Sequence, residues 1–325
     1  MHAEIVESSV ELEESGTVVL AEPRGFCSGV ERAIRIVERA LETHAEPVYV
    51  RKQIVHNQHV VDSLEARGAR FVDSTDDIPD GAVCVISAHG ASPMVRDGVR
   101  ARGLTMIDAT CPLVAKVHQE ARRFAAEGRH ILLIGHAGHD EVEGTLGEAP
   151  ERTTLVETVE DVARLDVPGA SIAYLTQTTL SFDDTAEIIE AVRARYPEAR
   201  GPVGDDICYA SQNRQVGVKS LAARCEVVLV VGAENSSNSM RMVEVARAAG
   251  ADAHLVPDPA SFDPAVLAGA TVVGVSAGAS APESLVEDLV RRLAGLGFGD
   301  VQIDRTSVED VHFALPRSPG GQARR

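Results

Sequence analysis

The 325-residue sequence predicts an α/β protein of three similar lobes, each with a short, mostly parallel sheet, arranged pseudo-threefold around a common centre. Three observations predict this. Short apolar runs alternate with helix-spaced apolar patterns along the whole chain. A cysteine followed by a helical pattern recurs three times, as RGFCSGVERAIRIVERAL, DATCPLVAKVHQEARRF and DDICYASQNRQVGVKSLA. Apolar runs ending in small polar residues also recur, as VCVISAHGAS, ILLIGHAGHDE and VVLVVGAENSSNS. Cys27 and Cys111 lie 84 residues apart, and Cys111 and Cys208 lie 97 apart. Repeats of that length are repeated domains rather than solenoid turns.

In chain order, residues 1–16 carry Glu4, Glu7, Glu11, Glu13 and Glu14 and lack the apolar stretch of a signal peptide, so an acidic disordered tail is expected. Thr17–Ala21 reads as a buried strand. After Cys27, the positions Val30, Ala33, Ile34, Val37, Ala40 and Leu41 recur at helical spacing. Further core strands are predicted at Val83–Ser87, Ile131–Gly135, Ile172–Thr176, Val227–Gly232 and Thr271–Ser276. The lobes are expected over 17–110, 111–207 and 208–313, with 314–325 a flexible tail of turn composition. Open parallel sheets carry their sites at strand C-terminal ends. Three lobes facing one centre would bring the three repeat cysteines together.

Composition excludes several classes. With 31 basic and 49 acidic residues the net charge is −18, which repels nucleic acid and anionic lipid. Aromatic residues make up only 3%, with no Trp, so stacking platforms for single strands are not expected. No apolar run approaches the ~18 residues of a membrane span. An odd count of five cysteines without a secretion signal points to a reducing cytoplasm rather than a disulfide framework.

Cys27, Cys111 and Cys208 each precede a helix, where the helix dipole and free N–H groups favour a thiolate or an anionic cluster. Three thiolates could hold three irons of a [4Fe–4S] cluster and leave the fourth open. The alternative is three separate buried cysteines. Cys84, inside AVCVI, and Cys225, at helical spacing from Leu221 and Val218, read as packing residues. His56, His89 and His139 each follow a strand among small residues, as do Ser236, Ser237, Asn238 and Ser280. Such turns suit a phosphate-like anion, and a nearby anion would favour cationic histidine; simple turns and satisfied core histidines are the alternative. Glu141 is a candidate proton donor, with Asp140 and Glu143 competing acids in the same loop. Thr178 and Thr179 offer hydroxyls to orient substrate or relay a proton, or merely form a turn or helix cap.

Taken together, the stretches PRGFCSGVERAI, VRKQIVHN, ISAHG, DATCPLVAKVH, IGHAGHDEVEGT, TQTTLS, DDICYASQNRQ, VVLVVGAENSSNS and GVSAGASAP resemble the motif set of the 4-hydroxy-3-methylbut-2-enyl diphosphate reductases. The resemblance runs from about residue 22 to about 282 and leaves out both termini. It implies a central [4Fe–4S] cluster on Cys27, Cys111 and Cys208. It implies diphosphate binding by His56, His89, His139, Ser236, Ser237, Asn238 and Ser280, with Thr179 nearby. Glu141 would be the proton source, with Thr178 placing the hydroxyl or relaying the proton. Asp140 departs from the family's usual proline, with an expected effect on loop stiffness rather than chemistry. The implied reaction is reductive removal of a hydroxyl from an allylic diphosphate, giving isopentenyl and dimethylallyl diphosphate. Electrons would come from an external ferredoxin or flavodoxin, since the chain has no GxGxxG for a nicotinamide cofactor. An iron–sulfur dehydratase and a zinc or redox-sensor protein are the rival classes. A nucleotide-binding transferase is disfavoured by the lack of a P-loop.

Overall fold

The structure, a computed structural model, describes residues 15–167 and 171–316. The expected acidic N-terminal tail lies almost entirely outside the described residues, as does most of the C-terminal one.

The first part of the chain forms β1 (Thr17–Glu22), α1 (Ser28–Thr43), β2 (Val48–Arg51), α2 (Gln58–Ala66), β3 (Ala69–Val72), β4 (Val83–Ile86), α3 (Pro93–Ala101) and β5 (Thr105–Asp108). Next come α4 (Pro112–Ala126), β6 (His130–Ile134), α5 (Asp140–Leu146), β7 (Thr153–Val156), α6 (Val159–Arg164), β8 (Ile172–Thr176) and α7 (Phe182–Arg195). The last part forms α8 (Tyr209–Ala222), β9 (Val227–Val231), α9 (Ser237–Ala248), β10 (Asp252–Val256), β11 (Val272–Ala277), α10 (Glu283–Gly295) and β12 (Asp300–Arg305).

These strands make three sheets, ordered β3-β2-β4-β5, β7-β6-β8 and β10-β9-β11-β1-β12. Every ladder between the described strands is parallel. Strands of a parallel sheet that are covered on both faces are apolar throughout. Accordingly β4, β8 and β9 are buried at every position. Two apolar clusters flank each sheet, for example one around Leu289 and one around Met242 on the five-stranded sheet.

The same strand order recurs in each sheet: the strand after a cysteine-led helix is central, the next lies on one side and the third on the other. This places the repeat in a register different from the one read in the sequence. The strand of VCVISAHGAS is the third of its unit, whereas those of ILLIGHAGHDE and VVLVVGAENSSNS are central. The counterpart of the latter two is β2, whose following loop carries His56.

One strand departs from the contiguous split. β1 pairs with β11 and β12 in the third sheet rather than with the strands of 17–110. The repeat itself supplies the reason. The strand leading into each cysteine lies beside the third strand of the preceding unit. Thus β5, before Cys111, pairs with β4, and Arg200, before Cys208, bridges Ala173 of β8. β1, before Cys27, follows the same rule by pairing with β11, which closes the series on itself.

Candidate active site

That closure is repeated in the backbone of the three cysteines, which stand at the N-termini of α1, α4 and α8. The Cys111 N–H donates to Ala88 O after β4 (2.9 Å), and the Cys208 N–H donates to Thr178 O after β8 (3.0 Å). The Cys27 N–H donates to Ala279 O after β11 (3.2 Å). Each cysteine is therefore pinned to the strand-end turn of the unit before it, and each turn continues directly into a candidate donor: His89, Thr179 or Ser280.

Cys27 and Cys111 approach each other across a position that lacks a side chain. A Cβ on Gly29 would stand 2.7 Å from Cys111 Sγ and 3.8 Å from Cys27 Sγ. Cys208 Sγ accepts the Ser211 N–H at 3.4 Å and lies 3.2 Å from Ser211 Oγ. Burial, with Cys27 and Cys208 beside it, pushes the Cys111 thiol up to about 12. Burial and Cys27 push Cys208 up to about 11. Cys111 and Cys208 thus stay protonated until a cation is placed among them. It is their neighbouring cysteines, not the raised value, that suit them to a metal, since burial also pushes Cys84 and Cys225 up to about 11. Cys84 and Cys225 are buried in separate apolar clusters, with Cys225 just beyond the end of α8 rather than on it.

Above the sulfurs sit the histidines. His56 and His89 stack with ring centroids 4.0 Å apart, and His139 meets them edge-on at 5.2 and 5.8 Å. Burial and the neighbouring His56 lower both His89 and His139, the latter to about 4. The protein alone thus holds these two rings neutral, so cationic histidine here depends on a bound anion. Opposite them, Ser236 caps α9 by accepting the Ser239 N–H at 3.3 Å. Asn238 accepts the Ala279 N–H at 2.8 Å and donates to Ser211 Oγ at 3.3 Å. Ser280 Oγ donates to His56 O at 2.9 Å.

Three acids of the α5 region had been open as proton donors, and their surroundings separate them. Glu143 is exposed. Asp140 lies 3.5 Å from His56 Nε2 and 3.8 Å from Lys52 Nζ. Burial would raise it, but His56, His89 and Lys52 hold its carboxyl down at about 2. Glu141 is only 2% exposed and has no cation beside it. It accepts the Thr178 N–H on Oε1 (2.7 Å) and the Thr178 hydroxyl on Oε2 (2.9 Å). Burial outweighs those two hydrogen bonds, and Asp206 adds to it, so Glu141 is pushed up to about 7. Glu141 therefore still carries a proton near neutrality, whereas Asp140 does not.

All thirteen residues singled out in the sequence line one cavity. Larger clefts of about 380 and 560 Å³ lie elsewhere, but no cysteine or histidine lines either, so chemistry rather than volume selects this one.

A family model described as LytB protein matches residues 18–294. The chain belongs to the LytB family. LytB relatives include a 4-hydroxy-3-methylbut-2-enyl diphosphate reductase of Nocardia farcinica, 54% identical over 95% of this chain and 93% of its own length. One of the same name from Mycolicibacterium paratuberculosis is 56% identical over 92% of this chain and 91% of its own. Among solved structures, the E-1-hydroxy-2-methyl-but-2-enyl-4-diphosphate reductase of Plasmodium falciparum superposes with a TM-score of 0.91 at 38% identity, covering 93% of this chain and 96% of that one. The three short parallel sheets are thus the LytB fold. No helix among the described residues is long and apolar enough to cross a membrane.

Several residues of this LytB site had no role in the sequence reading. Gln177 Nε2 donates to Thr179 Oγ1 at 3.0 Å and to Ser237 Oγ at 3.3 Å, joining two lobes. Arg214 is fully buried and donates to Gly25 O at 2.6 Å, holding the loop before Cys27, while it pairs with Glu309 at 2.8 Å. An arginine on the buried face of α8 was the available signal. For Gly29 and Gln177 the sequence carries no comparable one, because their importance lies in contacts between units.

Proposed function

We propose that this chain reduces 4-hydroxy-3-methylbut-2-enyl diphosphate to isopentenyl and dimethylallyl diphosphate. The observation that carries the reading is the convergence of three thiols at helix N-termini, a ring of anion donors and one proton-holding buried acid on a single cavity. The reaction breaks the allylic C–O bond, consumes two electrons and two protons, and releases water.

The thiol environment fits a [4Fe–4S] cluster held by Cys27, Cys111 and Cys208. When bound, such a cluster supplies electrons one at a time and a Lewis-acidic iron without a protein ligand. The electrons come from an external one-electron donor of the ferredoxin or flavodoxin class. The substrate diphosphate is taken by His56, His89, His139, Ser236, Ser237, Asn238 and Ser280, with Thr179 beside them. Its negative charge draws protons onto His89 and His139, which the protein otherwise keeps neutral. This is a private charge complement within a chain of net charge −18.

Glu141 supplies the proton for the departing oxygen. While it is ionised, the Thr178 hydroxyl donates to it. Once it is protonated, the same 2.9 Å contact reverses, and the Thr178 proton is free to point into the cavity. Thr178 is therefore a relay as well as an orienting group. Because Glu141 and Thr178 are both almost wholly buried, that proton is shielded from bulk water. The same reading places the enzyme in a reducing cytoplasm, supported by five unpaired cysteines.

The test is anaerobic turnover of 4-hydroxy-3-methylbut-2-enyl diphosphate with reduced methyl viologen, with iron and sulfide measured on the same sample. Formation of the two five-carbon diphosphates, dependent on reductant, is expected. Reductant-independent dehydration, or zinc in place of iron and sulfide, would overturn the reading.

A further inference from the structure

Outside the cavity, one buried polar group touches two of its walls. His118 lies on α4, seven residues after Cys111, and is 1% exposed. It does not line the cavity. Its Cε1–Nε2 edge is wedged between two glycines. A Cβ on Gly90 would stand 2.9 Å from His118 Cε1, and a Cβ on Gly144 would stand 3.2 Å from both Cε1 and Nε2. Gly90 directly follows His89. Gly144 sits on α5 one turn beyond Glu141. The ring therefore fills the gap between the turn that carries His89 and the helix that carries Glu141.

Its other edge is anchored. His118 Nδ1 lies 2.9 Å from Glu148 Oε1, and the Glu148 carboxylate is fully buried. Arg122 of α4 meets its second oxygen at 2.6 Å, and Arg96 of α3 approaches at 3.6 Å. Arg96 and the Gly90 turn belong to the first unit; His118, Arg122, Gly144 and Glu148 belong to the second. A ring held by a buried anion on one edge and by two backbones on the other has little freedom to move.

We propose that His118 is a positioning residue that sets the distance between His89 and Glu141, and hence between bound diphosphate and proton donor. The inference rests on the function proposed above. It also explains the glycine at Gly144, which inside a helix is destabilising, whereas Gly90 is already favoured by its φ of +80°. A misplacement of about 1 Å in such a pair lowers turnover on the order of 100-fold.

The test is a compensating pair. Gly144→Ala presses a methyl onto the ring edge. His118→Asn removes that edge and keeps a polar atom facing Glu148. Each single variant, isolated with full iron and sulfide, is expected to lose kcat on the order of 100-fold. The alkaline limb of its kcat–pH profile should move to lower pH as water gains access to Glu141. In the double variant the methyl occupies the vacated space, so much of the lost kcat should return. Unchanged kcat in both singles, losses that simply multiply in the double, or iron that falls in step with activity would each overturn the proposal. The Glu141 titration midpoint, followed by carboxyl ¹³C NMR in Gly144→Ala, needs no substrate. An unmoved midpoint would overturn the positioning role even if the wild type did not turn over this diphosphate, an outcome that would separately remove the proposed function.

Discussion

Glu141 and Glu148 stand seven residues apart, at the start of α5 and just past its end, and both side chains are buried. Their surroundings drive them in opposite directions. Burial raises Glu148, but His118 and Arg122 outweigh it and hold the carboxyl below its ordinary range. Glu141 meets only an amide and a hydroxyl, and burial prevails, leaving it at about 7. One carboxyl is held ionised and ties two units together; the other is held protonated and faces the cavity. Neighbouring groups, not residue type or depth, assign the task.

The sharpest way to break this contrast is Glu141→Gln, which keeps the shape and removes the proton. Turnover should fall by about 10²–10⁴, while iron, sulfide and substrate affinity stay near wild type. Near-normal steady-state turnover would move the proton source elsewhere. Glu148→Ala should act on stability instead. It leaves the buried His118 without its anion and should cost about 3 kcal/mol, read as the shift in denaturant midpoint.

The two glutamates should also differ in how stability follows pH. Folded Glu141 keeps its proton to about 7, whereas its ordinary value is 4.5, so ionisation opposes folding progressively between those values. Replacing it with Gln should therefore stabilise the protein by up to about 3 kcal/mol at pH 9 and hardly at all at pH 4. Glu148, held below its ordinary value, contributes stability above that value and loses it as the pH falls through the folded one. Thermal unfolding of Glu141→Gln and Glu148→Gln from the acid range below the ordinary carboxylate value up to pH 9 separates the two trends, and parallel curves would contradict the contrast. The smallest effect should come from Cys225→Ala. With its sulfur in an apolar cluster, loss of about 1 kcal/mol is expected with iron content unchanged.

Much of this was readable before any coordinates. Strand positions such as Ile172–Thr176 were fixed by apolar runs between turn residues, and β8 has those same bounds. The cysteines were separable because three preceded helices while Cys84 lay within a strand. The repeat was visible, but its strand register was not, since β2, VYVR, is too short and too tyrosine-bearing to match VVLVV by eye. The choice among Asp140, Glu141 and Glu143 stayed open for a different reason. It depends on Lys52 and His56 from one unit and Thr178 from another part of the second, and sequence distance hides both. His118 ends the stretch DATCPLVAKVH, yet the sequence gives it no role, because its partners Gly90 and Gly144 lie far from it on either side.

β1 has a consequence for how the molecule is made. It is synthesised before the first two sheets, yet its hydrogen-bonding partners, β11 and β12, are synthesised after them. During synthesis the strand waits, unpaired and apolar, while the first two sheets can already form from neighbouring sequence. The loop holding Cys27 is anchored through Ala279, so it too is seated only after β11 has been made. Any group that needs all three thiols must wait for that segment, and a product truncated just before β11 leaves the Cys27 loop without this anchor.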